Sequence, residues 1–310
     1  RVLFRSYSLM GYDLQDSEYV EGIGDVIYKY RGSGGLSKVY FGNGFNILRD
    51  STQHLSFGLK GSYIFGSLNK QRDIIADNYG TYKTRYEDSF RLYGVNLESS
   101  LLYTKYFKNN AVTIGGVYGI GDSLRTYASK IVYTYQGVTI DLPLDTFLNS
   151  VDTGSSYIPN LMGFGLSVVF NDKLTIAFDY ALTDWTKFKL LGKESNLAKR
   201  IQYAGGMEYI PDYKSVNSLK KIMRYRMGFK YLNSRLIVNN EQLSEYGITF
   251  GVGVPIIKSQ SRSMLNIGME YGLRGTESNS LSREQYTNFV VGFLLTPHKF
   301  DRWFVKRKID

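Results

Sequence analysis

The chain has 310 residues, including 32 glycines, 27 tyrosines and 18 phenylalanines, with no cysteine and only two histidines, His54 and His298. That composition excludes a disulfide framework and a cysteine-based metal site, argues against a histidine-rich metal centre, and leaves too few prolines for a proline-rich linker protein or a collagen. The net charge of +10 raises nucleic acid, an anionic membrane surface or an acidic partner, but the basic residues are scattered and no nucleic-acid motif accompanies them, so no nucleic-acid partner is expected.

Alternation at a period of two predicts extended segments near residues 2–14, 22–47, 53–66, 88–105, 111–124, 157–170, 173–188, 200–211, 222–232, 242–254, 263–274 and 285–296, with room for a further pair within 125–155. Segment 22–47 contains Gly32-Ser33-Gly34-Gly35 between strand-like flanks. Two readings stand there. One is a hairpin turn; the other is a glycine bulge at Gly32, Gly34 and Gly35 that kinks one long strand. In segment 53–66, Leu55, Phe57, Leu59, Tyr63 and Phe65 oppose Ser56, Gly58, Lys60 and Ser62. In 242–254, Tyr246, Ile248, Phe250, Val252 and Val254 oppose Gly247, Thr249, Gly251 and Gly253, and 263–274 repeats this with Leu265, Ile267, Met269, Tyr271 and Leu273.

Several of these segments reach the length of a tilted strand crossing a bilayer. A soluble sandwich also alternates, but its outer face is heavily polar. Here one face is large and apolar, and the other is rich in Gly, Ala, Ser and Thr. A membrane barrel accounts for both, because lipid takes the large side chains and small residues let a tilted wall close. Tyrosines near strand ends suit the aromatic girdles. The expected fold is all-β: a transmembrane antiparallel β-barrel of outer-membrane type with about 14 strands (12–14), a single domain over 1–310 with a short basic periplasmic tail at 297–310. The longest uncharged stretch, Thr153 to Asn171, is interrupted by Pro159, serines and glycines and makes a poor spanning helix. The sequence opens at Arg1 with no visible signal peptide or plug-forming segment.

Parity also assigns charges. Asp179, Glu208, Arg224, Arg226, Lys230 and Glu270 all oppose the apolar set on their segments and are expected to point into one lumen. An Arg or Lys facing lipid at mid-bilayer costs about 2–4 kcal/mol, which gives the assignment an energetic reason. These charges read either as cross-strand ion pairs that fill and rigidify the lumen or as a polar path. Enzymatic signals are poor: no Gly-x-Ser-x-Gly elbow, Walker loop or dinucleotide fingerprint occurs, and no cofactor, metal or catalytic residue is expected.

The block from Gly163 to Phe188, with Asn171-Asp172-Lys173, Asp179-Tyr180 and Asp184-Trp185-Thr-Lys-Phe188, resembles the FadL-type outer-membrane transporters of hydrophobic compounds. Met207-Glu208-Tyr209-Ile210-Pro211 and Arg224-Tyr-Arg-Met-Gly228 are similar to its following strands, and Tyr271-Gly-Leu-Arg-Gly275, Arg283-Glu284 and Trp303 to Asp310 to the ending of a divergent branch. The resemblance is good from about residue 155 and looser before it. It implies a fourteen-stranded barrel in the outer membrane of a Gram-negative bacterium, in contact with lipid and lipopolysaccharide, with a periplasmic C-terminus. It also implies an N-terminal hatch, which is not visible in this sequence. The kinked strand of such a barrel opens sideways for passive uptake of long-chain fatty acids or other hydrophobic compounds. The alternative is an accessory or scaffolding barrel subunit of a multi-protein outer-membrane assembly or secretion machine.

Overall fold

The computed structural model describes residues 2–8, 11–76, 83–136, 142–215, 218–256 and 263–294, with side chains from residue 11 onward apart from those of residues 142 and 280. Strands β1 (Val2–Ser8) and β2 (Tyr12–Val20) both pair with β3 (Gly24–Arg49), which runs antiparallel along the two of them. β3 pairs with β4 (Gln53–Ala76), and β4 with β5 (Lys83–Phe107). β5 has two partners, β6 (Asn110–Gly119) beside its second half and β7 (Asp122–Gln136) beside its first. β8 (Leu142–Ile158) then pairs with β7, and β9 (Leu161–Phe170) with β6. Thus β6 and β7 are halves of one wall strand, and β8 and β9 are halves of the next. Their breaks lie opposite each other, and Asn160 Oδ1 accepts from Gly121 N–H at 2.7 Å across them.

β10 (Leu174–Asp184) pairs with β9. A short excursion follows, with two-residue strands β11 (Lys189–Leu190) and β12 (Lys193–Glu194). The chain re-enters the wall as β13 (Lys199–Tyr209) beside β10. One helical turn, α1 (Leu219–Ile222), leads to an antiparallel meander of β14 (Arg224–Val238), β15 (Glu241–Pro255), β16 (Met264–Arg274) and β17 (Glu284–Leu294). With collinear halves merged and the short β11–β12 hairpin set aside, the wall has twelve strands among the described residues, the lower end of the expected range. The architecture is an all-β, antiparallel wall of outer-membrane barrel type. Among the described residues, no ladder joins β17 to β1 or β2.

Tight turns are built from residues that tolerate the left-handed region. Asn239 and Asn240, at φ 49° and 65°, connect β14 to β15, and Asn171 and Asp172, at 49° and 55°, connect β9 to β10. Positive φ at two successive centres matches the twist of the flanking strands.

The glycine tetrad does not turn the chain. β3 runs unbroken for 26 residues, and its ladder with β4 passes from Gly32↔Lys70 to Gly35↔Ser67 without a register shift. The hairpin reading is therefore corrected: continuous pairing with β4 holds the segment in one strand. Gly34 has φ 107°, and a Cβ there would stand 2.2 Å from the Ser67 carbonyl oxygen. A Cβ on Gly66, at φ 155°, would stand 2.1 Å from the Gly35 oxygen. Only glycine fits such a backbone approach. On the other side of β3, the β1 ladder ends at Gly35 and the β2 ladder begins at Gly32, so β3 changes partner at the glycines.

Strand lengths divide the wall. β10, β13, β16 and β17 have 11 residues each, whereas β3, β4 and β5 have 26, 24 and 25. The sheet β2–β3–β4–β5–β7–β8 projects well beyond the level at which β10 and β13 end. Within it Asp73, 3% exposed, pairs with Arg85 at 2.6 Å. The remaining wall carries cross-strand tyrosine rows. Tyr180, Tyr203, Tyr231 and Tyr246 are successive register partners, and Tyr209 pairs with Tyr225 six residues further along β13. The two rows are roughly 20 Å apart along the strand, at about 3.4 Å per residue.

Candidate functional site

Register places the predicted charges on one face. Thr175, Glu208, Arg226, Gly251 and Gly268 are successive partners across β10, β13, β14, β15 and β16, and so are Asp179, Ala204, Lys230, Gly247 and Gly272. Directly opposed residues share a face, and alternate residues of each strand join them. The other face carries Met227 and Phe229, Ile248 and Phe250, and Ile267 and Met269, all exposed.

Two clusters form on the ion-bearing face. In the first, Glu208 receives Arg226 Nε at 2.6 Å and Arg224 Nη1 at 3.2 Å, and Arg226 Nη1 also donates to Asn266 Oδ1 at 2.8 Å. In the second, Lys230 Nζ donates to Glu270 at 2.6 Å and to Glu245 at 2.9 Å. Arg274 Nε donates to Glu245 at 2.9 Å, and the Tyr286 hydroxyl lies 3.0 Å from Glu245 and 2.7 Å from Glu270. Each carboxylate here lies within reach of two or three donors, with the single Tyr286 proton shared between Glu245 and Glu270, so the charges are mutually satisfied rather than presented singly.

The structure thus brings together Glu208, Arg224 and Arg226, and separately Lys230 and Glu270. Asp179 shares the face but joins neither cluster; it packs over Gly165, where a Cβ would lie 2.7 Å from its Oδ1. Glu245, Arg274, Tyr286 and Asn266 are additions. Glu245 begins the same parity as Gly247 and Thr249, which is the signal that identifies it. A third centre lies further round the same face, where Glu98 takes both Lys38 and Lys60. Its register line runs from Glu98 through Gly119, Leu161 and Thr183 to Arg200.

Small residues make room for these ions. A Cβ on Gly272 would stand 2.5 Å from the Tyr286 ring, and one on Gly247 would stand 3.2 Å from its hydroxyl. The glycines let Tyr286 reach two glutamates on neighbouring strands. An apolar depression lined by Phe57, Leu101 and Tyr118 opens on the other face of the wall.

Gly32, Gly34 and Gly35 stand apart from these clusters, at the partner change of β3. His54 packs edge-on against Tyr106, with ring centroids 5.5 Å apart. Among the described residues, no group of three His, Cys, Asp or Glu side chains could hold a metal ion. His298 and the basic tail at 297–310 lie outside the described residues.

The BamG family model matches residues 4–310. No curated protein matches the sequence. Among solved structures, the chain is similar to the CymD monoaromatic hydrocarbon channel, at 13% identity and TM-score 0.49, covering 93% of this chain and 78% of that one. It is similar to a Pseudomonas aeruginosa FadL homologue at 12% and 0.49, covering 88% and 66%. It is also similar to the Pseudomonas putida toluene transporter TodX at 14% and 0.47, covering 94% and 85%.

Proposed function

The chain belongs to the BamG family, and from that premise we propose that it is an accessory or scaffolding barrel subunit of a multi-protein complex in the outer membrane of a Gram-negative bacterium. The observation that carries this reading is the ion-bearing face. Glu208, Glu245, Glu270 and Glu98 are each engaged by two or more neighbouring donors. In this reading the face lines the lumen, where the ions tie adjacent strands together. A carrier for a hydrophobic compound needs an apolar interior, and the apolar depression near Phe57 and Leu101 is on the wrong face for that. The opposite face meets lipid, between girdles formed by the two tyrosine rows. In this reading the end carrying the turns Asp50–Thr52, Lys108-Asn109 and Asn171–Lys173 is periplasmic, because the long strands β3, β4 and β5 project from the opposite end, the side on which outer-membrane barrels carry their longer extensions.

The test is purification from the native outer membrane in mild detergent, with mass measured by light scattering. A stoichiometric protein partner that stays bound is the expected result. A chain that runs alone as a monomer at native expression level would sink the scaffold reading.

One observation favours a second reading, passive passage of a hydrophobic compound such as a fatty acid. β3 changes partner at Gly32–Gly35, where a sideways opening would sit. Uptake of a labelled hydrophobic compound into liposomes by the purified chain, abolished by bulky substitution at Gly35, would establish it.

A further inference from the structure

The projecting half of β8 has the properties of a docking edge. One of its sides pairs with β7; on the other side, among the described residues, Lys189 of β11 pairs opposite Tyr157 and Gly192 N–H donates to the Ser155 carbonyl at 3.2 Å, which leaves Pro143 to Thr153 as the open stretch. Residues Pro143 to Ser155 are all exposed. They include Leu144 at 52%, Phe147 at 64% and Val151 at 72%.

This stretch is not a lipid-facing strand. Phe164, which pairs with Tyr180 in a tyrosine row, marks the wall's level. Ser155 already lies about 30 Å further along the chain, at about 3.3 Å per residue. Its faces are also unsegregated. By register with β7, whose ladder with β8 shifts twice, Asp145, Leu148 and Asp152 lie on one face. A bilayer strand separates such residues, as β14 does. An edge strand with exposed apolar side chains in water is a template for pairing.

Charge says what pairs with it. Leu142–Ile158 contains Asp145 and Asp152 and no Lys or Arg, in a chain of net charge +10. At the opposite edge of the projecting sheet β2, which among the described residues pairs with β3 alone, carries Asp13, Asp16 and Glu18, with Asp13 paired to Arg31 at 3.2 Å. A second copy therefore makes a poor occupant. An antiparallel pair of β8 strands centred between Leu148 and Asn149 sets Asp145 against Asp152, and β8 against β2 opposes acid to acid, which destabilises a strand pair. We propose that the β8 edge receives an extended, basic, apolar-alternating segment of a partner protein by strand addition. This deepens the scaffold reading above, on which the identity of the occupant as a complex partner rests.

The probe is a labelled ten-residue peptide alternating Val and Lys, titrated by fluorescence anisotropy against the full chain in detergent, with a Val–Glu peptide as its counterpart. Saturable binding of the Val–Lys peptide is expected. The double variant Asp145→Lys/Asp152→Lys weakens it by about tenfold and gains binding of the Val–Glu peptide, which also shows that the variant is folded. Equal binding of the Val–Lys peptide by wild type and variant, or no binding by wild type, overturns the proposal. A native complex that survives the double substitution overturns it too while leaving the scaffold reading intact. A wild-type chain without any partner sinks the scaffold reading instead.

Discussion

Glu208 on β13 and Arg226 on β14 stand directly opposite one another in the ladder, and Arg226 Nε reaches the carboxylate at 2.6 Å. The pair therefore contributes across the strand junction rather than along one strand. Both side chains keep partial access to solvent, at 25% and 37% exposed, so the contribution is modest. Glu208→Gln should destabilise the folded wall by roughly 1 kcal/mol, since it also leaves Arg224 and Arg226 side by side without their shared counter-ion. Heat-modified mobility on gels, read as the temperature of barrel opening, measures it. No change in that temperature would show the pair to be incidental.

Glu245 predicts a larger and non-additive effect. It is 8% exposed and takes Lys230, Arg274 and the Tyr286 hydroxyl. Removing its charge takes the carboxylate from Arg274 and leaves Lys230 to Glu270 alone, so Glu245→Gln should cost roughly 2–4 kcal/mol. Adding Arg274→Met to that variant should recover part of the loss, because the cation that lost its carboxylate disappears with it. Urea unfolding of the four members of the cycle in detergent gives the coupling, and strict additivity would mean that the two residues act independently.

The face assignment is testable by paired lysines. Ile248 and Thr249 are neighbours on β15 that point to opposite sides, and Ile248 is 49% exposed among other apolar side chains. Ile248→Lys should destabilise the protein in lipid by about 2–4 kcal/mol, and Thr249→Lys by much less. Equal costs, or a reversed order, would overturn the proposal that the ion-bearing face lines the lumen.

The sequence made the spanning part of this wall legible and the projecting part much less so. In β10, β13, β15 and β16 and the first part of β14 the large apolar and the small or charged residues alternate, whereas β17 breaks the pattern with Val290 on the face of Gly268. Asp179, Glu208, Arg224, Arg226, Lys230 and Glu270 could therefore be placed on one face from their positions alone. Parity says nothing about which of them touch, and among the described residues Asp179 joins neither cluster. Tyr286 was hidden for the opposite reason. Its ring reads as a girdle residue, yet its hydroxyl serves two glutamates across Gly272. Past Phe65 the apolar alternation of β4 gives way to Asn69-Lys70-Gln71-Arg72-Asp73, so the last ten residues of that strand carried no period-two signal. They stay extended because β3 and β5 pair with them on both sides.

The glycine tetrad offers the sharpest local test, because two glycines of different surroundings lie on the same strand. At Gly34 the backbone is left-handed, and an added Cβ would collide with the Ser67 carbonyl of β4 at 2.2 Å. Backbone cannot move aside as a side chain can, so relief requires β3 and β4 to part. At Gly44 an added Cβ meets nothing within 4 Å. Gly34→Ala should therefore cost about 2 kcal/mol or more from conformational strain alone, with further loss from the parted ladder, whereas Gly44→Ala should be close to neutral. Gly66→Ala should resemble Gly34→Ala, since its Cβ would strike the Gly35 oxygen from the opposing strand. Combining Gly34→Ala with Gly66→Ala should cost less than the two changes separately, because one separation of the strands relieves both clashes. Stability measured by urea unfolding of the three variants and the double variant decides the matter. Additive losses would mean that the two glycines are required for unrelated reasons, and that the positive φ values at Gly34 and Gly66 are not one shared distortion of β3 and β4.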